Sequence, residues 1–382
     1  MSNTTKKFAA SISFCILLGL TVTDSAYAES QTQRAAASRQ VDVVIALDVS
    51  GSMSGLIESA KQRLWDIVNE LGRAQPQPEL RLAILSYGRP VYGSHTGYVK
   101  IDLPFTSDLD AVNETLFAFG TSGGDEYVAR VVSTSVNELT WSSDPNALRI
   151  LFVAGNEAAT QDPQISLQQA TQAATNAGIV VNTIYCGSDN DRIAAGWRKF
   201  ATLTNGLYAS IDQNSAAVAN ISTPMDGKLA KLNQELNVTY LAYGAAGKRR
   251  RANQLDQDEN AGAMSSTAMA SRVVTKAGRL YDNSEWDLVD AVNAGTRLEE
   301  LDVEALPDEM QSMNDKQREV FVSQQAEKRE AIQAQISELD KERRAYIEKE
   351  RSSLAQAEAE GLDEVMQKGL RTLAEEKGFT FD

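Results

Sequence analysis

From residue 41 the chain moves between two hydrophobic rhythms. The segment "VDVVIALDV" is a continuous apolar run rich in β-branched residues, the mark of a strand buried on both faces. "SGLIESAKQRLWDIVNELG" follows, with Leu56, Ile57, Leu64, Ile67, Val68 and Leu71 at helical spacing and Gly72 as its stop. Strand-like "LRLAILSYG", "YVKIDLPFT", "ALRILFVAG", "IVVNTIYCG" and "LYASI" then appear in turn. Among them lie the helical patterns "SDLDAVNETLFAF", "DEYVARVVSTSVNEL", "SLQQATQAATNAG" and "AAGWRKFATLTNG". Apolar strands separated by amphipathic helices predict a doubly wound α/β domain over residues 41–222, a mostly parallel sheet with helices on both faces.

Beyond it the pattern predicts a mixed, partly flexible connecting region over 223–306 and a C-terminal helical, coiled-coil-like region over 307–382. "KRRRANQLDQDENAGAMSS" is polar and poor in bulky apolar residues, so weak packing is expected there. Its basic start, Lys248 to Arg251, reads as a solvated helix start, with a patch for an acidic partner as the alternative. From Asp308 to Glu360 neither Pro nor Gly interrupts a run with Ile332, Ile336, Leu339, Tyr346, Ile347 and Leu354 on one face. Arg343 and Glu350 fall where a strict heptad wants apolar groups, which favours a helical hairpin or docked helix over an extended coiled coil. Gly361 is its expected stop, and these helices are a candidate surface for self-association.

The first residues bear on location. Lys6 and Lys7 precede an apolar run from Phe8 to Leu20, and Ala26-Tyr27-Ala28 offers a small-x-small cleavage pattern. Residues 1–28 are expected to be a signal peptide, and the mature chain an exported, periplasmic or secreted protein with no membrane span. Cleavage would remove Cys15 and leave Cys186 alone, so no internal disulfide would support the fold. The formal charge of −15 would become −16 on loss of Lys6, Lys7 and Asp24. That sign argues against nucleic acid or an anionic surface as the main partner.

The chemistry concentrates in "IALDVSGSM", where Asp48, Ser50 and Ser52 follow the first strand. Ligands of such sheets bind at the carboxyl ends of the strands. Three oxygen side chains there can cap the next helix or hold a hard cation. Mg²⁺ takes oxygen ligands, keeps several waters and needs only one or two carboxylates. One carboxylate and two hydroxyls would leave the ion under-neutralised, open to a carboxylate from another molecule.

This D-x-S-x-S turn resembles the metal-ion-dependent adhesion site of the von Willebrand factor type A domain. The element order and the ending "VNTIYCG…GWRKFATLTNGLYASID" also resemble that family in its exported bacterial form. The resemblance covers about half the chain and implies Mg²⁺, or Ca²⁺ or Mn²⁺, as the bound ion. It also implies a second loop that supplies a threonine or an acid. Glu126, two residues after a Gly-Gly pair, matches best, with Asp125 and Thr121 as alternatives; both acids would also favour a helix N-terminus. The third loop departs from the family pattern, because Ala154 stands where an aspartate is usual. Asn156 or Glu157 is the candidate substitute, and an incomplete shell is the other outcome.

The expected function is a non-enzymatic, exported binding module that captures an acidic group of a protein partner through the ion. A structural scaffold acting through the C-terminal helices, with a degenerate metal site, is the runner-up. A metal-assisted hydrolase would need a general base beside the ion, and none is evident. His95, the only histidine, lies in a loop, and Cys186 reads as a small buried residue.

Overall fold

A computed structural model describes residues 39–210, 221–354 and 362–381. The expected signal peptide, Cys15 and the Gly361 stop lie outside the described residues. Strand β1 (Arg39–Asp48) leads to helix α1 (Ser54–Gly72), a short β2 (Ala74–Gln75), β3 (Pro78–Tyr87) and β4 (Val99–Thr106). Then come α2 (Leu109–Phe117), α3 (Val128–Glu138), β5 (Leu148–Gly155), α4 (Leu167–Asn176), β6 (Val180–Tyr185), α5 (Ala194–Leu203) and β7 (Tyr208–Ser210). The main sheet runs β4-β3-β1-β5-β6-β7, and β4 alone pairs antiparallel.

Alternation along β1 explains the two layers. Val41, Val43, Ile45 and Leu47 join the core under α1 and α2, whereas Val44 and Ala46 join the core under α3, α4 and α5. Both faces are covered, which is why the strand reads as an unbroken apolar run. The chain reverses its strand order on either side of β1, so the carboxyl end of β1 is the topological switch point.

The C-terminal half consists of α6 (Asp226–Asn237), α7 (Gly244–Met264), α8 (Ser266–Ala277), α9 (Leu288–Asn293), α10 (Asp315–Leu354), α11 (Leu362–Glu376) and β8 (Thr380–Phe381). Helices follow the sheet as the sequence predicts, but packing crosses both expected boundaries, at 222 and at 307. Met366, Leu370, Leu373 and Ala374 of α11 enter the same core as Ile45 and Leu64. Arg371 reaches Glu70 at 2.7 Å, and β8 pairs antiparallel with β2. The described residues form one compact unit.

The expectation of weak packing around 248–266 fails. Helix α7 buries polar groups in place of apolar ones. Its Asp258 takes Arg272 at 2.5 Å and Lys276 at 2.8 Å, both from α8 and both nearly inaccessible, at 0% and 1% exposed. Arg272 also reaches Asp110 of α2 at 2.8 Å, and Tyr281 donates to that same carboxylate at 2.6 Å. Burial alone would raise the Asp258 pKa, but the two cations outweigh it and hold the carboxyl below its usual range. Burial takes Lys276 the other way, down to about 8, with Asp258 offsetting only part.

The basic run is solvated at its start, where Lys248 and Arg249 are exposed, and partly absorbed by the chain at its end. Arg250 pairs with Asp108, Arg251 donates to the Asn237 carbonyl at 2.5 Å, and Lys248 lies 3.3 Å from Asp308. Helix α10 is a docked helix: Val322, Ile332 and Ile336 are buried, and Arg329 joins Asp287 and Asp290 at 2.6 and 2.7 Å. Arg343, which interrupts the heptad, makes a buried pair with Asp226 at 3.1 Å. No helix among the described residues is long and apolar enough to cross a membrane.

Two stability measurements check this packing. Asp258→Ala leaves buried Lys276 without a carboxylate and Arg272 with Asp110 alone, and is expected to cost about 3–5 kcal/mol in urea unfolding. Leu370→Ala is expected to cost about 2–5 kcal/mol; a loss under about 0.5 kcal/mol, typical of a surface change, would show that α11 does not belong to this core.

Candidate metal centre

Strand β1 delivers Asp48 to the rim, where the Val49 amide donates to the Tyr87 carbonyl at 2.9 Å. Asp48 then folds back on its own turn, with Oδ1 accepting from the Ser50 amide at 2.8 Å. Helix α1 starts at Ser54 behind Met53, which makes no side-chain cap. Capping of α1 is therefore not what Asp48, Ser50 and Ser52 do. The two serine hydroxyls lie 3.3 Å apart, and Asn156, past the end of β5, donates through Nδ2 to Ser52 Oγ at 3.0 Å.

Across this turn stands Glu126, from the segment that precedes α3. Asp48 is 0% exposed and Glu126 8%. The two acids close on one spot beside Gly88, and each carboxyl acts on the other. Neither Asp48 Oδ2 nor Glu126 Oε2 has a partner, and the buried Asn156 Oδ1 is likewise unpaired. Burial pushes the Asp48 carboxyl well above the usual carboxylate range, and the Glu126 carboxyl beside it adds to the shift. Glu126 is raised as well, first by burial and further by the charges of Glu157 and Asp125.

Glycines make this close approach possible. A Cβ on Gly88, at the end of β3 with φ +90°, would stand 2.9 Å from Asp48 Oδ1 and 3.0 Å from Glu126 Cγ. One on Gly155, at the end of β5, would collide with the Tyr87 hydroxyl and stand 3.2 Å from Asp48 Oδ2. These supports are not singled out by the sequence reading, although "SYG" and "VAG", each closing a strand on glycine, carried the signal.

The structure thus brings together Asp48, Ser50, Ser52, Glu126 and Asn156. Asp125 and Thr121 are exposed beside them, as is Glu157, whose carbonyl accepts from Trp197 Nε1 at 2.8 Å. Ala154 is buried, and its carbonyl accepts from the Tyr87 hydroxyl at 2.9 Å. His95 is exposed in a turn; Cys186 is buried, and burial raises its thiol pKa. No three His, Cys, Asp or Glu side chains are gathered to hold a metal among the described residues. A centre here would rest on two carboxylates, two hydroxyls and an amide oxygen.

These residues fit a hard divalent cation. The donors are oxygens, three of them are buried without partners, and the two acids gain from any positive charge placed between them. Asp48, Ser50, Ser52 and Glu126 are the groups that would hold it, with Asn156 at its edge.

Residues 42–224 match the family model of the von Willebrand factor type A domain. No curated protein matches the chain. Two solved structures of proximal thread matrix protein 1 from the mussel byssus align with 46% and 47% of this chain, at 10% and 11% identity and TM-scores of 0.36 and 0.38. The second has a zinc-occupied MIDAS motif, the abbreviation for a metal-ion-dependent adhesion site. The alignments span 42% and 43% of those chains, less than half of their length.

The raised carboxyls set a pH signature. Without metal, the folded chain keeps protons here that the unfolded chain has already released. The stability from this pair is complete below the ordinary carboxylate range and is lost as pH rises through the raised values. In EDTA, the melting temperature of the wild type relative to Asp48→Asn is expected to fall from about pH 4 to about pH 8. At the higher pH, Mg²⁺ or Mn²⁺ at about 100 times its Kd is expected to return about 2.7 kcal/mol to the wild type and nothing to Asp48→Asn.

Proposed function

We propose that this von Willebrand factor type A domain, residues 42–224, is the working part of an exported, non-enzymatic binding protein that captures an acidic group of a protein partner through a divalent cation. Domains of this family mediate protein interactions and often hold a metal at the adhesion site. The observation that carries the reading here is the set of unpartnered buried oxygens on Asp48, Glu126 and Asn156 beside two serine hydroxyls. Mg²⁺ is the favoured ion, with Ca²⁺ or Mn²⁺ as alternatives, because every donor is a hard oxygen.

When bound, the ion offers a water-exchangeable position that an outside carboxylate can take. The chain's own residues prepare that position. Asp48 is fixed by the Ser50 amide, Ser50 and Ser52 add lone pairs without charge, and Gly88 and Gly155 admit the acids without steric conflict. Position 154 is alanine and contributes no acid; its carbonyl accepts from the Tyr87 hydroxyl.

Export rests on the expected leader at residues 1–28 and places the protein in the periplasm or outside the cell. The runner-up, a scaffold that self-associates through its C-terminal helices, finds less support, because α11 packs into the core under the sheet and β8 is paired with β2. The single histidine is surface-exposed, which gives a hydrolase no evident base from that source.

The test is calorimetric titration of the whole protein with Mg²⁺ and Mn²⁺, followed by partner capture with ion, with EDTA and with Asp48→Ala. Capture is expected to need the ion. Asp48→Ala should weaken metal binding by at least the roughly 10–100-fold that loss of an outer-shell group costs. Equal capture in all three conditions would reject the reading.

A further inference from the structure

We propose that Glu126 is an internal occupant of the metal centre, a carboxylate supplied by the chain itself that competes with an outside acid, so that partner capture requires Glu126 to withdraw. This inference rests on the preceding reading that the centre holds a divalent cation.

Charge counting is the first support. A centre built from Asp48 and two serines leaves one positive charge of a divalent ion uncancelled, and that deficit is what would attract a partner's carboxylate. Glu126 removes the deficit. Its side chain is buried beside Asp48, since one Cβ added at Gly88 would stand 2.9 Å from Asp48 Oδ1 and 3.0 Å from Glu126 Cγ, and it leaves Oε2 without a donor. With both acids ionised the ion is balanced from inside, and an arriving carboxylate also meets the charges of Asp125 and Glu157 that already act on Glu126.

The backbone that carries Glu126 is the second support. Residues 119–127 form neither helix nor strand. A Cβ on Gly120 or Gly123 would meet nothing within 4 Å, whereas one on Gly124 would lie 2.5 Å from the Gly88 carbonyl oxygen. Gly120 and Gly123 face open space, the Ser122 amide between them donates to the Val49 carbonyl at 3.1 Å, and Gly124 is pressed against the β3 end just before Glu126. Gln161 clasps the far side by donating to the Glu126 carbonyl at 2.7 Å. Such an arrangement holds the acid inward through a few contacts, the Ser122, Gly124 and Gln161 ones, on a segment that no helix or sheet fixes.

The experiment titrates whole protein with Mn²⁺, read by electron paramagnetic resonance, and then titrates the Mn²⁺-saturated protein with N-acetylaspartate amide, read by paramagnetic relaxation of the ligand. Glu126→Gln is expected to weaken Mn²⁺ about tenfold or more, since ligand charge sets affinity. The same change is expected to tighten the carboxylate probe about tenfold relative to wild type. Unchanged or weaker probe affinity at saturating Mn²⁺ would overturn the proposal.

Should Glu126→Gln fail to load Mn²⁺, Glu126→Asp decides, because it keeps the charge and withdraws it by one methylene. Probe affinity tighter than the wild type's supports the proposal, and affinity equal to or weaker than the wild type's overturns it. Failure of the wild type to bind Mn²⁺ shows in the first titration, before any carboxylate is added, and defeats the metal reading itself.

Discussion

Two carboxyl groups buried against one another, with no donor left for an oxygen on each, set the terms for everything at the rim of this sheet. Both cannot ionise there unaided, because burial and mutual repulsion each disfavour the second charge. A shared proton or a shared cation relieves the conflict. The fold spends several features on maintaining it: glycines at the ends of β3 and β5, a turn that ties Asp48 to the Ser50 amide, and a tyrosine that holds Ala154 aside. A merely structural pair would be cheaper to build with a cation of the protein's own.

The contrast lies elsewhere in the same chain. Asp258 and Asp110 are as deeply buried, yet Arg272, Lys276 and Tyr281 answer them fully. This network ties α2, in the sheet's own layer, to α7 and α8. Ion pairs of this kind add little net stability over apolar replacements, but losing one partner is costly. Its consequence is selectivity of docking: one arrangement of α7 and α8 on α2 satisfies all the charges, and displaced arrangements leave them stranded. The Asp48–Glu126 pair lacks any such answer, which marks it as a place kept for something else.

Much of this was legible in the sequence, for local reasons. The six main strands and the helices between them follow from hydrophobic period alone, and Asp48, Ser50 and Ser52 stand in one turn only five residues long. What escaped reading depends on distant partners. Helix α7 looked weakly packed because its buried face carries Gln254, Gln257 and Asp258, and distant partners, Arg272, Lys276, Tyr281 and Asn113, make that face tolerable. Helix α11 could not be assigned to the sheet because its partners on α1 lie some 300 residues earlier, as in the Arg371–Glu70 contact. The choice among Thr121, Asp125 and Glu126 turned on which side chain the segment buries, and periodicity has nothing to say about an irregular loop.

The whole-chain charge sharpens the functional argument. At −15, the protein repels an acidic partner at long range, and in physiological salt that field decays over about 8 Å. An acid would therefore gain nothing from the protein until it reaches the centre, where Asp125 and Glu157 add further negative charge beside Glu126. Attraction must come from a positive charge located at the rim itself, and among the residues gathered there none is basic. Whatever is recognised would be recognised at contact distance, through the ion and the few side chains around it, with fast electrostatic steering working against the encounter.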